Sequence, residues 1–319
     1  MIFFKLMFGF IMLIVGANLL VEGAVKIAKK FKVSTMIISM TIISIGTSMP
    51  ELVIACVSSM RGSQIALSHN IGSIISTIGV SIGLTAIIYP LHIKKNISKE
   101  VMRMIMLQIV MLLLLVAGNG LDKIDGIIFI TVFLFYMKHL VRNAKKVVSI
   151  ESEESLVKKE EKLINETDIV IKNSIITLSL FIIIGLMLVG YGGDYVVESA
   201  TSLAKLLNLS EAFIGVTIVA FGTTLPELST AIVAAKKREY DIALGNALGS
   251  GVSNIMLNVG LATIINPIRF SFILLFQTAV MFLFGLLFYK LTKQDEINRS
   301  DGLLLILMYI GFIVLSYFL

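Results

Sequence analysis

The chain has 319 residues, of which 57% are hydrophobic and 15% charged, and its formal net charge is +6. Its mean hydropathy of +0.95 lies far above the range of water-soluble domains, which excludes a soluble enzyme. It also excludes a nucleic-acid binder, which needs a basic polar surface that this chain lacks. The single cysteine, Cys56, permits no intramolecular disulfide and says nothing of redox compartment.

Apolar runs of about 20 residues are long enough to cross a bilayer. They predict helices at 3–26, 34–60, 65–90, 101–119, 124–143, 174–204, 209–235, 241–266, 270–290 and 301–319. The first run lacks a basic leading segment and a small-residue cleavage site, so it is expected to be a retained helix. Between the fifth and sixth runs lies the one long polar interval, with Glu151, Glu153, Glu154, Lys158, Lys159, Glu160, Glu161 and Lys162 in mixed-charge order. It is too short for an ordinary independent domain and reads as a solvated linker, with a short amphipathic surface helix as the alternative. The expected organisation is a first transmembrane repeat at 1–143, a cytosolic linker at 144–172 and a second transmembrane repeat at 173–319.

The two halves repeat each other. Gly46-Thr47-Ser48-Met49-Pro50-Glu51 recurs 176 residues later as Gly222-Thr223-Thr224-Leu225-Pro226-Glu227, and Gly16, Glu22, Lys29 and Thr41 fall at the same offset on Gly192, Glu198, Lys205 and Thr217. An odd number of spans per repeat turns the second copy upside down, the inverted plan of many secondary transporters. The predicted fold is therefore an all-α polytopic membrane protein of about ten transmembrane helices in two inverted five-helix repeats. Basic residues agree with this plan. With the N-terminus outside, the cytoplasmic ends collect Lys26, Lys29, Lys30, Lys94, Lys99, Arg103, Lys138, Arg142, Lys236, Lys237, Arg238, Lys290 and Lys293, against Lys5, Arg61, Lys123, Lys205 and Arg269 opposite. Both termini are expected outside, in the plasma membrane.

Each repeated motif buries a carboxylate. A charge at mid-membrane costs roughly 2.5 to 3.5 kcal/mol on insertion scales, and no lysine or arginine stands near Glu51 or Glu227 in its span. A bound cation or a proton is left to compensate each charge, and a protonated structural acid in a packed bundle is the bland alternative. Pro50 and Pro226 lack an amide hydrogen and crowd the carbonyl four residues back, which predicts helix breaks near Gly46 and Gly222 and free carbonyl oxygens. Thr47 and Ser48 stand four and three residues before Glu51, as Thr223 and Thr224 do before Glu227, so hydroxyls and carboxylate share one helical face.

The next span of each half adds Ser73 with Thr77, and Ser250 with Asn254, at i,i+4. Such hydroxyls also commonly bond their own helix backbone, so they carry less weight than the glutamates. An all-oxygen set suits hard cations: Ca²⁺ takes about six to eight oxygens near 2.3 to 2.6 Å, and Na⁺ suits a similar set. The candidate ion-site residues are thus Glu51, Glu227, Thr47, Ser48, Thr223, Thr224, Ser73, Thr77, Ser250 and Asn254. No histidine pair has metal-ligand spacing, and no cofactor is expected.

With these motifs the chain resembles the cation/calcium antiporter superfamily, and in particular prokaryotic sodium/calcium exchangers. The resemblance implies a ten-helix fold with a diamond-shaped ion cluster at its centre. It implies that Glu51 and Glu227 bind Ca²⁺ with the backbone carbonyls of Thr47 and Thr223. It places Na⁺ among Ser48, Thr224, Ser73, Ser250 and carbonyls near Ser44 and Ala220, and has the first and sixth helices slide against the rest. Thr77 stands where relatives often carry Asn, and Asn254 where several carry Asp. The family's potassium-dependent branch is associated with Asp there, so Asn254 speaks against K⁺ co-transport.

The expected function is secondary active exchange of Ca²⁺ for Na⁺ by alternating access, with proton/Ca²⁺ exchange by the same fold as the alternative. An embedded hydrolase would need a Ser-Lys, paired-Asp or His-Glu-metal constellation, and the spans hold none, so the chain is not expected to be an enzyme. The expected partners are Ca²⁺ and Na⁺ ions and the lipid bilayer, without nucleic acid, and a monomer is the expected working unit. Glu22 and Glu198 read as solvated groups near opposite faces, with ion entry as the alternative. His69 reads as a packing residue, with pH sensing as the alternative.

Overall fold

In hydrocarbon every backbone polar group must find its partner within the protein, which drives apolar runs into helices. The computed structural model describes residues 2–31, 33–62, 65–94, 96–158, 175–206 and 222–318, and most of them are helical. In chain order the helices are α1 (Ile2–Phe31), α2 (Thr35–Thr47), α3 (Met49–Met60), α4 (Ala66–Ile88), α5 (Ile97–Ala117) and α6 (Lys123–Lys158). The second half contributes α7 (Ile175–Leu206), α8 (Leu225–Lys236), α9 (Tyr240–Ile265), α10 (Phe272–Leu291) and α11 (Arg299–Phe318).

Among the described residues eight helical stretches are long and apolar enough to cross a membrane, and α2 with α3 forms one further span bent by 47°. The span expected at 209–235 is described only from 222, where α8 follows; its earlier part, including Ala220, lies outside the described residues. α6 continues past the apolar run to Lys158, so the first part of the interval expected as a solvated linker is helical. Residues 159–174 of that interval lie outside the described residues.

Polarity is arranged for lipid. In α4 and α9, 78% of the apolar window is buried, against 33% or less in every other candidate span. The outer helices instead expose large apolar side chains such as Phe4, Leu113, Phe272 and Leu307. Buried serines, threonines, asparagines and the two motif glutamates gather in the middle. The core is therefore polar at its centre and apolar around it.

Four short strands fix the relation between the halves. β1 (Leu91–His92) follows α4, β2 (Gly120–Leu121) follows α5, β3 (Ile268–Arg269) follows α9 and β4 (Glu296–Ile297) follows α10. β1 pairs with β4 and β2 with β3, both antiparallel. The 21 residues of α5, about 31 Å at 1.5 Å per residue, separate β1 from β2 and put the two pairs at opposite ends. β1 and β3 hold equivalent places in the two halves yet lie at opposite ends of α5, the arrangement that an inverted second half would give.

Glycine sets two close approaches. A Cβ on Gly9 would lie 2.9 Å from the Gly192 carbonyl, and one on Gly16 would lie 2.9 Å from that of Gly185, so α1 and α7 meet backbone to backbone. In the centre, a Cβ on Gly249 would lie 2.6 Å from the Met40 carbonyl, which lays α9 directly against α2. The Ser39 hydroxyl ties the same helices by donating to the Ile242 carbonyl at 2.7 Å.

Candidate functional site

The motif prolines shape the site first. Pro50 sits in the first turn of α3, where a missing N–H costs nothing, and Ser48 leaves helical geometry at φ −88°, ψ 9°. Thr224 holds the same place before α8, at φ −90°, ψ −5°. In the first half the break therefore falls two residues beyond the expected Gly46; in the second, Thr223 and Thr224 form a turn between Gly222, where the described residues resume, and α8. The Ser48 amide still donates to the Ser44 carbonyl at 3.0 Å, which keeps α2 helical through Thr47. Gly46 loses its i+4 donor to Pro50, as expected.

The helices that face these breaks are themselves widened. π turns run over Thr77–Ile82 in α4 and Ser253–Asn258 in α9, near-equivalent positions of the two halves, and a third runs over Ser39–Ile43 in α2. Such turns disturb the regular i→i−4 ladder and are frequent at functional sites.

Glu51 and Glu227 are 0% and 1% exposed. The Ser73 hydroxyl donates to Oε1 of Glu51 at 3.3 Å, and the Ser48 hydroxyl donates to Oε1 of Glu227 at 3.4 Å. Oε2 of each glutamate is buried without a hydrogen-bond partner among the described residues. The ion pairs of the described residues are Lys5–Glu198, Lys26–Glu22, His92–Glu296, Lys94–Asp241 and Arg103–Glu100, and neither motif glutamate belongs to them.

Hydroxyls link the two repeats across this centre. Ser48 and Ser250 lie 2.7 Å apart, oxygen to oxygen, as do Ser76 and Thr224. Thr47 is in reach of two acceptors, the Ser44 carbonyl at 3.3 Å and Oδ1 of Asn246 at 3.1 Å. The Thr77 hydroxyl is buried without a partner among the described residues. Thr223 faces a cavity of about 290 Å³, which it lines with Pro50, Pro226, Gly222 and the α7 residues Gly193 and Asp194.

The structure thus brings Glu51, Ser73 and Asn254 into one hydrogen-bonded group and Glu227, Ser48 and Ser250 into another. Four contributors stand outside the candidate set read from the sequence: Ser76, Asn258, and Asn70 and Asn246, which the sequence marks only as the places where relatives show a Gly-Asn pair. Ser76 lies three residues after Ser73, and Asn246 lies four before Ser250. Helical spacing from the chosen serines is the signal that points to both. Glu22 pairs with Lys26 at 2.5 Å and Glu198 with Lys5 at 2.8 Å, both partly exposed, as expected of solvated groups. Nε2 of His69 is buried without a partner among the described residues.

The family described as sodium/calcium exchanger protein matches residues 1–141 and 177–318. An uncharacterised membrane protein of Methanocaldococcus jannaschii is 32% identical over 303 residues, covering 95% of this chain and 93% of its own length. A sodium/calcium exchanger of Methanosarcina acetivorans is 28% identical, with 99% of both chains covered. Among solved structures, the sodium-calcium exchanger NCX_Mj soaked with 10 mM Na⁺ and no Ca²⁺ superposes with a TM-score of 0.82 at 30% identity, covering 98% of this chain and 99% of its own.

Proposed function

The chain belongs to the sodium/calcium exchanger family, and from that premise we propose that it exchanges Ca²⁺ for Na⁺ by alternating access, through one site shared by Glu51 and Glu227. It is a multi-pass membrane transporter of cations and not an enzyme. One observation carries the finer reading: two buried carboxylates, each with an oxygen that has no partner among the described residues, face hydroxyls and no described basic side chain. Burying two such charges is costly unless a cation compensates them.

Two carboxylates carry a charge of −2, which one Ca²⁺ neutralises. Na⁺ ions compete for the same oxygens, so occupancy by one species excludes the other and exchange becomes obligatory. The ligands in this reading are Glu51, Glu227, the hydroxyls of Ser48, Ser73, Thr77, Thr224 and Ser250, and the carbonyls of Thr47 and Thr223, with Asn254 beside Ser73. The cavity lined by Pro50, Thr223 and Pro226 supplies a path toward that centre. The glycine contact of α1 with α7 supports movement of those two helices as a unit against the rest.

Protons are the competing counter-ion, because protonation also neutralises a buried carboxylate. ⁴⁵Ca²⁺ uptake into proteoliposomes loaded with Na⁺ separates the two. The Na⁺ gradient is expected to drive uptake with K⁺ present or replaced, and a pH gradient without Na⁺ is expected to drive none. Uptake driven by pH alone would replace Na⁺ with protons in this scheme. In this reading both termini lie outside in the plasma membrane, so cysteines at Leu121 and Ile268 should react with impermeant thiol reagents from outside and one at Ser155 should not. The reverse labelling would invert the orientation.

A further inference from the structure

Beside Glu51 a row of amides crosses from α4 to α9, and one backbone carbonyl determines which way every member points. Asn70, fully buried, donates its Nδ2 to the Ala66 carbonyl at 2.8 Å. A carbonyl only accepts, so the amide of Asn70 must turn its NH₂ there and its Oδ1 toward Asn258. Asn258 answers with Nδ2, which donates to Oδ1 of Asn70 at 3.1 Å and to Oδ1 of Asn254 at 2.8 Å. Asn254 is then left with its NH₂ toward Ser73, at 3.1 Å. The Ser73 oxygen accepts that bond, which leaves its one hydrogen for Glu51 at 3.3 Å.

We propose that Asn258, anchored by Asn70, is a positioning residue that holds Asn254 with its amide hydrogens toward the ion site and its carbonyl oxygen away from it. Asn254 then fills its corner as a hydrogen-bond donor, in the place where an oxygen ligand would otherwise recruit a cation. Resting on the exchange reading above, this inference makes Asn258 a determinant of how strongly Na⁺ competes with Ca²⁺. The other half has no such lock. In the register that aligns Ser73 with Ser250, the counterparts of Asn70, Asn254 and Asn258 are Ala247, Thr77 and Ser81. Thr77 keeps a buried hydroxyl without a partner among the described residues, whereas Asn254 is committed at both ends of its amide.

The test is equilibrium ⁴⁵Ca²⁺ binding to the purified protein, displaced by Na⁺. Asn70→Leu/Asn258→Leu removes both anchoring amides together, so neither is left buried without its partner, and Asn254 is free to turn its oxygen inward. The Na⁺ concentration for half-displacement is expected to fall about threefold to tenfold, the worth of one net hydrogen bond. Asn258→Thr, which keeps one donor, is expected to give a smaller shift in the same direction and covers the case in which the double variant does not fold. In an Asn254→Ala background the shift should vanish, because Asn258 acts through Asn254. A purely structural role would lower thermal stability in both backgrounds without moving the Na⁺ dependence. An unchanged Na⁺ dependence in folded variants, or the same shift without Asn254, would overturn the proposal. Wild-type Ca²⁺ binding that Na⁺ does not displace would instead remove the exchange reading, and this inference with it.

Discussion

Glu51 and Glu227 stand in the same motif, equally buried, yet the groups around them differ in kind. Glu51 is met by Ser73 at the end of an amide row that runs through Asn254 and Asn258 to Asn70. Among the described residues Glu227 is met by Ser48, which in turn meets Ser250. An amide has a donor end and an acceptor end, so a chain of amides has one direction once its terminus is fixed. Ser48, by donating to Glu227, likewise leaves Ser250 to donate to Ser48, but that pair is only two hydroxyls long and each can also rotate. The two halves thus hold equal charges, one at the end of a long row of amides and the other beside a short pair of hydroxyls.

The largest expected effect removes what the halves share. Glu51→Gln or Glu227→Gln keeps the shape and takes away half of the site's formal charge. Each should weaken Ca²⁺ binding by at least about 100-fold, since disrupting a buried charge arrangement costs about 3–5 kcal/mol. Flux in proteoliposomes, with folding checked by monodisperse elution, measures this. Wild-type uptake by both variants would show that the two glutamates do not form the site.

A second change attacks the packing that joins the halves. Gly249→Val places a side chain against Met40 and Ser44 of α2, where a Cβ alone is already 2.6 Å from the Met40 carbonyl. Overpacking of this kind costs about 1–3 kcal/mol, so a lower melting temperature and a weakened Ser48–Ser250 contact are expected. Unaltered stability and transport would mean that α9 need not lie so close to α2.

Smaller effects separate the two glutamates. Ser73→Ala cuts the amide row from Glu51, while Ser48→Ala leaves Ser250 near Glu227. The half-saturating Ca²⁺ concentration should therefore rise more for Ser73→Ala, by about threefold to tenfold for one long net hydrogen bond. Equal losses would erase the distinction between the halves. Transport should also proceed without K⁺, and Asn254→Asp should change cation preference, because a third buried negative charge is uncompensated by one Ca²⁺. An absolute K⁺ requirement in the wild type would contradict the assignment at Asn254.

Much of this was legible before any coordinates. The all-helical polytopic membrane fold follows from apolar run length, because a bilayer enforces it. The glutamates were legible because lipid leaves a carboxylate few alternatives. In the first half the break stands at Ser48, two residues past Gly46, because proline disturbs a helix over a full turn and the Ser44–Ser48 bond survives. The amide row was not legible. Asn70 and Asn258 lie 188 residues apart, and nothing local marks them as neighbours. Nor do the separate serines of the two halves announce that Ser48 faces Ser250 and Ser76 faces Thr224. Contacts across a two-fold arrangement depend on how the halves dock, which span patterns leave open.

The central claim is that Glu51 and Glu227 together hold one divalent cation. Anomalous diffraction from crystals soaked in Ca²⁺ without Na⁺ tests it most directly. One strong peak is expected between the two carboxylates, with oxygens at about 2.3 to 2.6 Å, which fades as Na⁺ is added and is missing in Glu51→Gln/Glu227→Gln. A peak bound elsewhere, or one that persists in that double variant, would contradict it.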